Sequence, residues 1–189
     1  MQLVRLVRDG EPVRMSKRTG KAITLTDLLD EVPIDSARFL FNMREPGSQM
    51  EFDLDLALKE DSDNPVYYVQ YAHARICSIM KKMAEDGVSF EGLDNCRTEL
   101  LTEPAERELI RHIGNFADEI INAAKHYDPA RITRYVVDLA TLYHKFYNAC
   151  RVRDAESDLC QARMALCLAV KNIICSVLNM FKITIPETM

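Results

Sequence analysis

The sequence predicts an all-α protein: a helical bundle preceded by a short N-terminal hairpin, a loop and a small-helix segment. Three observations carry that expectation. Beyond Asn64, apolar residues recur at three- and four-residue intervals in four long stretches, the period of one helix face. Two of those stretches begin with a capping residue followed by proline, Asn64-Pro65 and Asp128-Pro129. Before about residue 60 the texture differs, with Gly- and Pro-containing turns between short apolar pieces. Residues 1–60 are therefore expected to form one segment and residues 61–189 the bundle.

Taken in order, Leu3 to Arg8 alternates loosely and runs into Asp9-Gly10, a hairpin turn signal, with Pro12 to Met15 as the return strand. Ser16 to Lys21 is a polar loop containing Gly20. Two short helices should follow, one capped by Thr26 and one by Asp35. Pro46-Gly47-Ser48 marks a loop. The first bundle stripe is Val69, Ala72, Ile76, Ile79, Met80 and Met83; Gly87 and Gly92 then bracket a linker. Thr102-Glu103-Pro104 opens a second helix, with Leu109, Ile113, Phe116, Ile120 and Ile121 along its face. A third carries Ile132, Val136, Leu139, Leu142 and Phe146, and a fourth runs from Leu159 to near Lys182, with Pro186 preventing continuation. Four long helices with short joints make a bundle.

Charge and cysteine usage exclude several functions. Net charge is −5, yet residues 1–21 hold six basic and two acidic side chains, a local +4 that leaves −9 for the remainder. A broad basic nucleic-acid footprint is absent, so RNA binding here has to be local and geometric. The six cysteines show no CxxC spacing and sit among apolar residues, which reads as buried free thiols in a reducing compartment, with no zinc site. Asp53, Asp55, Glu60 and Asp61 read as helix-end charges rather than a metal site. The longest apolar runs are broken by Lys, Asn or Arg, and no membrane-spanning helix or signal peptide is expected.

Arg14-Met15-Ser16-Lys17-Arg18 is the most informative stretch. Alone, Ser-Lys-Arg is an ordinary solvated turn. With a strand leading in, Thr19-Gly20 after it and a capped helix beyond, it resembles the KMSKS signature of class I aminoacyl-tRNA synthetases, in the arginine-enzyme form with Arg at the last position. Arg8-Asp9-Gly10 and Arg18 to Ala22 resemble that family's flanks. Forming an aminoacyl-adenylate expels pyrophosphate, and a Lys on a mobile loop can meet the charge that develops. The resemblance implies that role for Lys17, with Ser16 and Arg18 supporting it and Met15, Ser16 and Lys17 forming the ATP/pyrophosphate loop. Arg14 stands where the family has Lys, keeping charge but not ammonium geometry. His112-Ile113-Gly114-Asn115 imitates the other signature, HIGH, but it lies inside an amphipathic helix and behind the loop. The nucleotide-binding sheet is therefore expected to lie outside this sequence.

The stretch Asn64 to Arg75 resembles the first helix of the arginyl-tRNA synthetase C-terminal domain, the DALR anticodon-binding domain. Asp138-Leu139-Ala140, Phe146 to Val152 and the ending Pro186-Glu187-Thr188-Met189 resemble its later signposts. Tyr68, Tyr71 and Arg75 stand at i, i+3 and i+7, and Tyr143 and Tyr147 at i and i+4. Such side chains hold splayed bases by stacking, worth roughly 1–3 kcal/mol per base. A tyrosine stripe at helical spacing is also an ordinary core feature. The resemblance places Tyr68, Tyr71, Arg75, Tyr143, Tyr147 and Met189 on the anticodon face, with Gln70 and His73 as weaker candidates. It implies a cytoplasmic arginine–tRNA ligase whose full-length form uses ATP with magnesium and arginine. The part present here would bind the tRNA(Arg) anticodon loop, with no membrane or DNA partner, no bound cofactor and no ligase activity by itself. Two alternatives stand beside it: the matching part of the cysteine or methionine enzyme, and a helical protein-interaction bundle.

Overall fold

The computed structural model describes residues 4–13, 23–45 and 47–189. Asp9 and Gly10 take left-handed φ angles of 51° and 74°, which closes the expected two-residue hairpin between β1 (Val4–Arg8) and β2 (Glu11–Pro12). A third strand goes beyond the sequence expectation. β3 (Met50–Asp53) lies parallel to β1, from Val4↔Met50 to Val7↔Asp53, giving the order β2-β1-β3. Met50 and Phe52 are buried while Glu51 is exposed, so the strand does alternate. Four residues beside a Pro-Gly-Ser turn are simply too few for a period-2 pattern to stand out.

Between β1 and β3 the chain forms α1 (Leu25–Glu31) and α2 (Ile34–Asn42). The two caps differ from expectation. Thr24, not Thr26, caps α1: its hydroxyl accepts from the Asp27 N–H at 3.2 Å while the Asp27 carboxylate accepts from the Thr24 N–H at 2.8 Å. Pro33 stands at the start of α2, and Asp35 falls in its first turn with its carboxylate turned to a distant partner. Asp53 caps α3 (Leu54–Leu58), accepting from the N–H groups of Asp55 and Leu56.

The bundle follows as α4 (Pro65–Glu85), α5 (Pro104–Gly114), α6 (Phe116–His126), α7 (Ala130–Ala149) and α8 (Ser157–Met180). The stripe read as one helix from Pro104 to Ile121 is two, because the chain turns at Gly114-Asn115. Gly in a helix interior costs about 1 kcal/mol against Ala, so a helix is weakest at Gly114. Asn64 begins α4 without a side-chain cap bond, its amide donating instead to the Lys59 carbonyl at 2.9 Å. Asp128 accepts from the Ala130 N–H at 3.1 Å, so it still satisfies the start of α7.

One apolar cluster joins the sheet to α1–α3 through Leu28, Val32, Leu40, Phe52 and Leu54. The larger fills the bundle and includes Ile76, Leu109, Leu139, Phe146, Ile174 and Val177, all fully buried. α8 is 24 residues long with a window of mean hydropathy 1.4, long and apolar enough by length and composition alone to cross a bilayer, a test that the core helix of a bundle also meets. Here it packs on α4, α5 and α7. One buried ion pair ties α5 to α8: Arg163 Nε lies 2.7 Å from a wholly buried Glu106, and Arg163 also donates to the Arg151 carbonyl.

Candidate nucleic-acid interface

The helical period of α4 puts Tyr68, Tyr71 and Arg75 on one face, and that of α7 puts His144, Tyr147 and Asn148 on another. The packing of α4 against α7 brings the two faces together. His144 has the Tyr68 ring centroid 4.8 Å away and the Tyr71 ring stacked at 5.6 Å and 30°. The Arg75 guanidinium lies 3.7 Å above the Tyr147 ring and 5.8 Å from that of Tyr71. No carboxylate pairs with Arg75 among the described residues, so a cation–π contact worth about 0.5–2 kcal/mol holds it while its N–H donors stay available.

A cavity of about 390 Å³ opens here, lined by Ser62, Tyr67, Tyr68, Tyr71, Arg75, His144 and Asn148. That falls within the roughly 300–1,000 Å³ range of small-ligand sites. A second hollow of about 390 Å³ adjoins it through Asn148 and has Lys82, Tyr147 and Arg151 in its wall. Tyr71 is 40% exposed, the most accessible ring of the cluster.

The structure thus gathers Tyr68, Tyr71, Arg75 and Tyr147. It does not offer Tyr143. That ring is wholly buried against His144, Phe146 and Tyr147, and burial pushes its hydroxyl pKa far up, so it belongs to the core. Gln70 and His73 are also occupied. Gln70 donates to the Thr184 carbonyl at 2.9 Å, and His73 Nδ1 donates to the Pro186 carbonyl at 2.7 Å. Asp35 accepts from the Thr184 N–H, and Arg38 donates to the Lys182 carbonyl. These contacts fasten the C-terminal segment to α2 and α4, with Met189 half-exposed at its end. Met15, Ser16, Lys17 and Arg18, with Arg14 and Gly20, lie outside the described residues.

His112, of the HIGH-like stretch, has a structural place. Its ring stacks on Tyr135 at 4.2 Å, its Nε2 donates to the Tyr135 carbonyl, and the Tyr135 hydroxyl donates to the His112 carbonyl. Asp53 and Asp61 accept from backbone N–H groups two residues on, as helix-end and turn carboxylates do, while Asp55 accepts from the distant Asp9 N–H at 2.6 Å. The six thiols are free, and burial raises Cys167 to about 12. Sequence reasoning missed His144, Tyr67, Ser62 and Asn148. The available signal was the i, i+3, i+4 spacing of His144, Tyr147 and Asn148.

Comparison with known proteins bears on this surface. The profile of the DALR anticodon binding domain matches residues 69–189. An arginine–tRNA ligase of Caldanaerobacter subterraneus is 54% identical over 189 residues, covering all of this chain and 34% of that protein. One from Ruminiclostridium cellulolyticum is 50% identical over 188 residues, covering 33% of its length. The chain therefore spans about a third of the curated relatives it matches. Among solved structures, an arginyl t-RNA synthetase of Campylobacter jejuni superposes with a TM-score of 0.84 at 30% identity, over all of this chain and 40% of that one. The Thermus thermophilus arginyl-tRNA synthetase gives 0.78 at 24% identity over 97% of this chain and 34% of that one, a likeness of fold.

Proposed function

We propose that this chain, which belongs to the DALR anticodon binding domain family, is the C-terminal part of an arginine–tRNA ligase and recognises the anticodon loop of tRNA(Arg). The observation that carries the reading is the set of Tyr68, Tyr71 and Arg75 around one open cavity, with Arg75 laid over Tyr147 in the wall of the adjoining hollow. Splayed RNA bases stack on rings and guanidinium planes, and this mode needs few positive charges. It therefore suits a chain with a net charge of −5. Met189, half-exposed at the end of the chain, is assigned to the RNA-binding surface on the family resemblance.

The division of labour follows the sequence. Residues 1–60 join the bundle to the catalytic part of the longer, cytoplasmic enzyme, and residues 61–189 read the anticodon. In that enzyme, which uses ATP with magnesium to activate arginine, Lys17 meets the charge of the departing pyrophosphate, Ser16 orients Lys17 or bonds phosphate, and Arg18 supports the charge or binds RNA backbone. The chain alone has no ligase activity, and arginine-dependent ATP consumption by it would contradict that.

The test of the anticodon reading is binding of this chain to an arginine tRNA transcript at low salt, beside the same transcript with its middle anticodon base changed. Preference for the unchanged transcript supports the reading. Equal binding to both defeats it and returns the chain to a helical interaction bundle.

A further inference from the structure

His144 stands apart from the other three histidines. His73 reaches the Pro186 carbonyl, His112 the Tyr135 carbonyl and His126 the Asn122 carbonyl, each at 2.7–3.0 Å. His144 is 9% exposed, yet neither ring nitrogen has a hydrogen-bond partner. About nine in ten buried polar groups are paired in native proteins. Three of the four unpaired buried side-chain atoms among the described residues lie together here: both His144 nitrogens and the Tyr143 hydroxyl.

The surroundings explain why the ring is both lonely and neutral. Tyr68 and Tyr71 of α4 and Tyr143 of α7 present rings to it. The one charge facing it is Arg75 of α4, which supplies no acceptor. Burial, and secondly Arg75, push its pKa down to about 4, while the Tyr68 backbone opposes the shift without a well-formed hydrogen bond. A neutral imidazole offers one donor and one acceptor. His144 also lines the 390 Å³ cavity.

We infer that His144 is a specificity-determining residue of this cavity, its unpaired imidazole forming a hydrogen bond with the edge of a nucleic-acid base that enters there. A base edge presents donors and acceptors side by side, which matches the imidazole. A phosphate has only acceptors and is better served by Arg75. Tyr71, exposed and stacked on the imidazole, has to shift for the edge to reach it. This inference rests on the anticodon reading and names one residue that does the reading.

The experiment compares wild type and His144→Phe, which keeps a planar ring in the stack and removes both nitrogens. The probes are an arginine tRNA transcript and three transcripts each changed at one anticodon base. His144→Phe is expected to lose about tenfold, equal to about 1.4 kcal/mol, toward the unchanged transcript and toward the two changed at bases His144 does not contact, and to bind as wild type does the one changed at the base it contacts. In ¹⁵N spectra of wild type, the His144 ring nitrogens should move on adding the unchanged transcript. Full discrimination retained by His144→Phe overturns the inference. If that variant does not fold, ring resonances that stay still on RNA addition overturn it instead. Failure of wild type to discriminate at all defeats the anticodon reading itself, and this inference with it.

Discussion

Two faces of α4 carry similar polar side chains and use them in opposite ways. On one, Gln70 and His73 spend their hydrogen bonds on the C-terminal segment. On the other, Tyr71 is exposed, Arg75 has no anionic partner among the described residues, and His144 across from them has none for either nitrogen. A buried polar group with partners reports on architecture. One left without partners beside a cavity reports on a ligand, since leaving it unsatisfied costs about 1–3 kcal/mol.

The contrast between satisfied and unsatisfied groups is tested most severely at the most satisfied pair. Glu106→Ala leaves Arg163 buried without its carboxylate and should destabilise the chain by about 3–5 kcal/mol. Urea unfolding measures it, and a change below about 1 kcal/mol would remove the distinction between spent and unspent groups.

Acid titration probes the unspent side. His144 is held near 4 in the folded chain, below the ordinary histidine value of 6.5, so the unfolded chain takes up the proton first as pH falls. Stability from this group is fully present above pH 6.5 and declines as pH drops toward 4, by up to about 3 kcal/mol. The stability difference between wild type and His144→Phe, followed from pH 7 to 4.5, isolates it from titrating carboxylates. A pH-independent difference would place the imidazole in contact with water.

Asp35→Ala removes the acceptor that holds Thr184 and Gln70, and should cost about 1.5–3 kcal/mol in stability. With Met189 assigned to the RNA-binding surface, RNA affinity measured on the folded protein should fall as well, and unchanged affinity would remove Met189 from that surface. The smallest effect on stability belongs to Tyr71→Ala and Arg75→Ala. Thermal unfolding should move by less than about 1 kcal/mol for each, while RNA binding weakens by about 1–3 kcal/mol. The reverse pattern, large unfolding shifts with unchanged binding, would make both residues part of the scaffold.

The bundle was legible in the sequence because its apolar period extends over many turns, and so was the hairpin, because Asp9-Gly10 fits a left-handed turn. β3 was not legible, since it is four residues long and its pairing with β1 is set by tertiary contact. The caps of α1 and α2 slipped by two residues for a similar reason: Thr24 and Thr26 are equally good caps locally, and packing chooses between them. At the site, spacing identified Tyr68, Tyr71, Arg75 and Tyr147. It did not distinguish Tyr143, one helical turn from Tyr147, although one ring is wholly buried and the other borders the surface. Nor did it find His144, whose meaning lies in the partners it lacks, a property of three-dimensional surroundings alone.

The central claim is that the unspent face of α4 reads an anticodon base. The most direct measurement is the affinity ratio between an arginine tRNA transcript and its middle-base variant, for wild type and for Tyr71→Ala. The expected result is at least about tenfold preference in wild type, reduced or lost in Tyr71→Ala. Equal affinity of wild type for both transcripts would contradict it.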